Sequence, residues 1–152
     1  MSQSTPPDPS AAPEVVAELG ATGLLAEITA GPHRFQSDAT AESGGGEEAP
    51  RPFHMVLGAL GACTAMTIRM YADRKGWPLE GVRVALSHDR RKAADGEAGA
   101  TDSGWIFTIE KRVDLLGADL DADQRRRLLE IGEKCPVNQA LLSQVRISHP
   151  TA

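Results

Sequence analysis

The chain has 152 residues, 41% of them hydrophobic, enough to bury one ordinary core. Its formal charge of −5, from 16 basic and 21 acidic residues, argues against nucleic acid or an anionic membrane as a main partner, since both reward clustered Lys and Arg. The opening MSQSTPPDPSAAP carries no charged segment leading into an apolar run, so it does not read as a secretory signal; its prolines and small polar residues predict a disordered tail over residues 1–13. A single domain is expected over residues 14–152, in a reducing, cytoplasmic setting where two cysteines do not make a disulfide scaffold.

Short alternating runs separated by turn residues predict antiparallel strands at Val15–Leu19, Leu24–Thr29 and His33–Gln36. Ser37–Ala49 is a polar loop whose Gly44-Gly45-Gly46 lacks the Gly-Lys-Ser/Thr ending of a phosphate loop. The longest apolar run, Pro52–Tyr71, follows and predicts a helix ending near Lys75-Gly76. Val56, Leu60, Cys63, Thr67 and Met70 share one face, while Ala59, Ala62, Ala65 and Met66 leave the other uncharged until Arg69. About 20 apolar residues can span a bilayer, yet the glycines, His54 and Arg69 dilute this run, which reads as a core helix buried nearly all round.

Two strands are expected next, Val82–Asp89 and Trp105–Leu115, joined by a charged, glycine-containing loop at Arg90–Gly104. Asp121 is the expected N-cap of a second helix, with Leu120, Leu128, Leu129 and Ile131 inward and Gln124–Arg127 toward water. Arg125-Arg126-Arg127 reads as a solvated face rather than a phosphate site. Pro136 opens a third helix, and Val145–Ser148 reads as a closing strand. Strands and helices are segregated rather than alternating, which gives an α+β class.

Cys63 and Cys135 stand 72 positions apart, so they form no CxxC pair, and whether they meet is a tertiary matter. Cys135 precedes the proline-started helix, where the dipole favours a thiolate; Cys63 lies mid-helix and would need a cation such as Arg34, Arg51, Arg69, His33 or His54. An apolar helix can equally hold a cysteine as inert packing. His33, His88 and His149 have no metal-ligand spacing, and neither a metal nor another cofactor is expected.

Two strings carry a resemblance: PFHMVLGALGACTAMTIRMYADRKGWPLEGVRV around the first cysteine and EKCPVNQALL around the second. Both resemble the cysteine motifs of the OsmC/Ohr family, the osmotically inducible and organic hydroperoxide resistance proteins, and the likeness runs over about residues 14–149. The resemblance implies an intertwined α+β homodimer, with antiparallel sheets wrapped around central helices. It also implies an antioxidant stress-response oxidoreductase, a peroxidase that reduces organic hydroperoxides with redox-active cysteines. Cys63 matches the peroxidatic cysteine and Cys135 the resolving one; a dithiol reductant such as a lipoylated protein would restore both. The chain departs from the pattern at two places, marking an OsmC-like branch: Phe53 and His54 stand where the family's glutamate is expected, and the turn Gly20-Ala21-Thr22-Gly23 lacks its arginine. His54 either supplies positive charge or caps the helix entrance, and Arg34, Arg69 and Phe53 complete the activating or pocket candidates. The alternative function is a non-catalytic OsmC-like protein whose dimer cleft binds a small apolar ligand, its thiols structural or sensing.

Overall fold

The computed structural model describes residues 13–143 together with Val145 and Ile147. The architecture is α+β: strands β1 (Val15–Glu18), β2 (Ala26–Ala30) and β3 (His33–Ser37), helix α1 (Pro52–Lys75), strands β4 (Gly81–Lys92) and β5 (Trp105–Leu116), and helices α2 (Ala122–Gly132) and α3 (Pro136–Leu142). The chain divides into two compact units, one of them Val56–Val145 and the other containing the described residues before Val56.

In the first unit, β1, β2 and β3 form an antiparallel meander, with Val16 opposite Thr29 and Ile28 opposite Phe35. The loop after β3 is organised by one buried carboxylate. Asp38 accepts backbone N–H bonds from Ala39, Gly46 and Glu48 at 2.7–3.0 Å, and its own N–H reaches the Pro50 carbonyl. The Glu48 N–H, with those of Ala39 and Gly46, outweighs burial and holds the Asp38 carboxyl below its ordinary value. A depressed native value means the contribution is fully present above the unfolded carboxyl range and is lost as pH falls through the depressed native value, so this loop is expected to loosen on acidification. A Cβ on Gly45 would lie 2.1 Å from the Ala39 carbonyl oxygen, which explains a glycine there better than any phosphate role.

In the second unit, β4 and β5 pair along their full length from Gly81–Leu116 to Lys92–Trp105. The ladder runs three residues past the expected end at Asp89. The reason lies in the side chains: Arg90 and Lys92 flank the Trp105 ring at 4.8 and 4.4 Å, so the charged run stays paired as an exposed hairpin arm. The core collects Ile68, Ala72, Leu79, Leu120 and Leu128, with Tyr71, Trp77, Val82, Val113 and Leu115 packed on it. Gly132 lets α2 approach α1 closely, since a Cβ there would stand 2.9 Å from the Ile68 Cδ1 and 3.3 Å from the Thr64 Cγ2.

α1 is long and apolar enough to cross a bilayer by length and composition. Its buried positions are Leu57, Leu60, Thr64, Ile68 and Ala72, one stripe at helical spacing. Met66 and Met70 are 63% and 68% exposed, and Ala59 and Ala62 are exposed as well, so within the chain α1 is not buried all round.

Asp121 is the N-cap of α2 and forms a capping box, accepting from the Gln124 N–H at 2.7 Å while Gln124 Oε1 accepts from the Asp121 N–H. Asp121→Ala is expected to cost about 1 kcal/mol, read as a lower midpoint in urea at unchanged slope. The polar face of α2 differs from expectation. Arg125 turns back to donate to the carbonyls of Leu120, Leu115 and Gly117, and Arg127 reaches the Tyr71 hydroxyl at 3.3 Å. Leu129, expected inside, is 41% exposed. In the strand expected at Val145–Ser148, Arg146 and Ser148 lie outside the described residues, while Val145 and Ile147 carry no strand pairing; residues 1–12 of the tail expected over 1–13, and His149, also lie outside.

Candidate functional site

The second unit brings the two cysteines together. Cys63 sits mid-way along α1 and is partly exposed; Cys135 is the N-cap of α3 and is fully buried. Both are free thiols, and Cys63 stands close enough to Cys135 to favour its ionised form. Pro136 at the first helical position needs no N–H partner, which frees the Cys135 Sγ to accept the Asn138 N–H at 3.3 Å. Thr64, buried beside Cys63 on α1, places its Oγ1 3.5 Å from the same sulfur.

Burial alone would push the Cys135 thiol up. Hydrogen bonds from Thr64, the Asn138 N–H and Cys63, with the positive charge of Lys111, outweigh it and bring the thiol below its ordinary value. Lys111 projects from β5 with its side chain only 10% exposed, bonded to Glu133 at 3.0 Å and to the Asn138 Oδ1 at 3.2 Å. Asn138 is itself held, its Nδ2 donating to the Glu133 carbonyl at 2.8 Å. Beside this cluster opens a cavity of about 420 Å3. Leu60, Phe107, Ile109, Leu141 and Leu142 supply its apolar wall, and Lys111, Glu133 and Asn138 its polar end. A cavity with an apolar wall and a few convergent polar groups at one end suits a small organic molecule.

Of the other expected residues, Arg69 lies in the second unit and Arg34, Phe53 and His54 in the first. Arg69 is not delivered to Cys63: its Nη1 donates to the Leu79 carbonyl at 2.7 Å and pairs with Asp73 at 3.4 Å, tying α1 to the segment after it. Arg34, Phe53 and His54 belong to the first unit, where Arg34 lies on β3 opposite Thr29, Phe53 is half-buried, and His54 Nε2 is 2.9 Å from an Arg51 guanidinium nitrogen. Among the described residues no three His, Cys, Asp or Glu side chains gather as a metal site.

Sequence reasoning passed over Thr64, Lys111, Glu133 and Asn138. Lys111 did leave a signal: in Phe107, Ile109, Lys111, Val113, Leu115 it is the one cation on an otherwise apolar alternating face of β5. Asn138 stood in the second cysteine string without a role attached.

The model of the OsmC-like protein family matches residues 44–149. The chain belongs to the OsmC/Ohr family. Solved structures agree on the fold. An OsmC-like protein from Mycoplasma pneumoniae is similar at 14% identity and TM-score 0.66, covering 88% of this chain and 89% of that one. The OsmC organic hydroperoxide resistance protein from Legionella pneumophila is similar at 20% identity and TM-score 0.61, over 84% and 86%. The OhrB organic hydroperoxide resistance protein of Bacillus subtilis is similar at 19% identity and TM-score 0.55, over 83% and 87%. Among curated protein sequences none matches. At these identities the likeness carries the OsmC-like fold.

Proposed function

We propose that this OsmC-like chain is a cytoplasmic thiol peroxidase that reduces organic hydroperoxides with the pair Cys63 and Cys135. The observation that carries this reading is that Cys135, 72 positions further along the chain, packs against the turn of α1 that carries Cys63, its sulfur 3.5 Å from the Thr64 hydroxyl, with a cavity walled partly by apolar side chains beside the cluster. Cys63, the more accessible, is the peroxidatic sulfur. Its thiolate attacks an oxygen of the peroxide, the O–O bond breaks, and the alcohol departs after taking a proton, leaving a Cys63 sulfenic acid. The Cys135 thiolate then attacks the Cys63 sulfur; hydroxide leaves, takes a proton to become water, and the disulfide closes. A dithiol, such as a lipoyl group carried on a protein, returns two electrons. Leu60, Phe107, Ile109, Leu141 and Leu142 hold the organic body of the substrate.

The test is consumption of cumene hydroperoxide with dihydrolipoamide as reductant. Multiple turnovers are expected; loss of peroxide no faster than in buffer with the reductant contradicts the reading.

The assembly in this reading is a homodimer. Ala59, Ala62, Met66 and Met70 form an exposed apolar stripe along α1 at spacings of three, four and four, a face that a second copy would cover. Met66→Asp is therefore expected to shift the protein from dimer to monomer in sedimentation equilibrium. An unchanged mass would mean that another surface holds the copies together.

A further inference from the structure

Resting on the peroxidase reading, we propose that Lys111 is a positioning residue that holds the Cys135 sulfur as a thiolate and so sets the direction of disulfide opening: the reductant attacks Cys63, and Cys135 departs. Three observations converge. First, access is unequal, since Cys63 is partly exposed and Cys135 has no exposed surface, so an incoming thiolate meets Cys63 first. Second, the polar contacts of the Cys135 sulfur among the described residues suit a negative charge: the Asn138 N–H donates to it at 3.3 Å, and the Thr64 hydroxyl, which can donate, stands at 3.5 Å. Third, the site contains a cation that the fold spends effort to keep. An ammonium group on a side chain 10% exposed, among Leu60, Ile109 and Phe107, is unfavourable unless it is paired and has work to do.

Glu133 and Asn138 hold Lys111 from two sides, and Asn138 joins it to Cys135, because the residue whose Oδ1 accepts from Lys111 also donates its backbone N–H to the sulfur. The titratable groups facing Cys135 are thus Cys63 from α1, Lys111 from β5 and, through Lys111, Glu133 after α2. Lys111 thus brings a positive charge from β5 to the Cys135 end of the site.

The step balances. A thiolate of the dithiol attacks the Cys63 sulfur, the Cys63–Cys135 bond breaks, and its electron pair leaves on the Cys135 sulfur. The second thiol of the reductant, as thiolate, attacks its own sulfur in the mixed disulfide. The bond between Cys63 and that sulfur breaks, Cys63 departs with its electron pair and takes a proton; the other proton goes to solvent, and the reductant leaves as a cyclic disulfide. A stabilised leaving thiolate speeds the first of these exchanges.

The experiment needs no peroxide. In the Cys63→Ser background, where Cys135 is the sole thiol, thiolate absorbance near 240 nm is followed against pH with Lys, Gln or Arg at position 111. Lys111→Gln is expected to move the titration to higher pH and Lys111→Arg to restore it; identical curves for Lys and Gln overturn the proposal. Glu133→Gln, on a side chain 59% exposed and so tolerant of change, should move the curve to lower pH, and no movement counts against it. In wild-type protein oxidised with diamide, then exposed briefly to glutathione and quenched in acid, the adduct is expected on Cys63; an adduct on Cys135 refutes the direction. If the titrations shift while the wild type consumes no hydroperoxide, the Lys111 inference stands and the peroxidase reading falls.

Discussion

Cys63→Ser is expected to abolish hydroperoxide turnover, lowering kcat/KM by roughly three orders of magnitude or more, the scale on which loss of a nucleophile acts. The reason is chemical. A serine hydroxyl is not ionised near neutral pH and is a poor nucleophile toward a peroxide oxygen, whereas the thiolate is the reactive form of cysteine. The substitution changes one atom on a helix whose packing rests on Leu57, Leu60, Thr64, Ile68 and Ala72, so the fold should persist and the unfolding midpoint should stay near that of the wild type. Wild type and Cys63→Ser consuming cumene hydroperoxide at the same slow rate would instead favour a binding protein that uses the cavity without redox chemistry.

Leu128→Ala should have the largest effect on stability, about 3 kcal/mol, within the range for deleting a fully buried leucine side chain. Leu128 has no exposed surface and packs with Ile68, Ala72, Leu79 and Leu120, where α1, α2 and the segment after α1 meet. Gly132 brings the end of α2 so close to Ile68 that neighbouring side chains have little room to collapse into the void. For a chain of this length, that loss lowers the melting temperature by about 10 °C, measured at fixed protein concentration. A fall of less than about 1 kcal/mol would show that the site relaxes, or that the helices are held chiefly from outside this cluster.

Much of the architecture was legible in the chain. Turn residues marked the three-strand meander, Asp121 announced its helix, and Pro136 placed Cys135 at a helix start, each through local chemistry that acts within a few residues. The orientation of α1 was harder. A helix apolar on nearly every side has little periodic contrast, so the stripe through Val56, Cys63, Thr67 and Met70 could not be told from the one the fold buries, through Leu57, Thr64, Ile68 and Ala72. Arg125 escaped because a guanidinium that donates to three carbonyls looks, in a sequence, like any solvated cation. The surroundings of Cys135 were least legible of all: Thr64, Lys111 and Asn138 come from three elements and converge only through packing. Lys111 could have been singled out as a charge on an apolar face, but not as the neighbour of one particular thiol.

The claim on which the rest depends is that Cys63 and Cys135 react as a pair. It is tested most directly by adding one equivalent of cumene hydroperoxide to the reduced protein, blocking residual thiols in acid, and mapping the peptides by mass spectrometry. The account predicts a Cys63–Cys135 cross-linked peptide with the loss of two hydrogens and no free thiol. A Cys63 oxidised to sulfinic acid beside an untouched Cys135 thiol, or both thiols recovered intact, would contradict it.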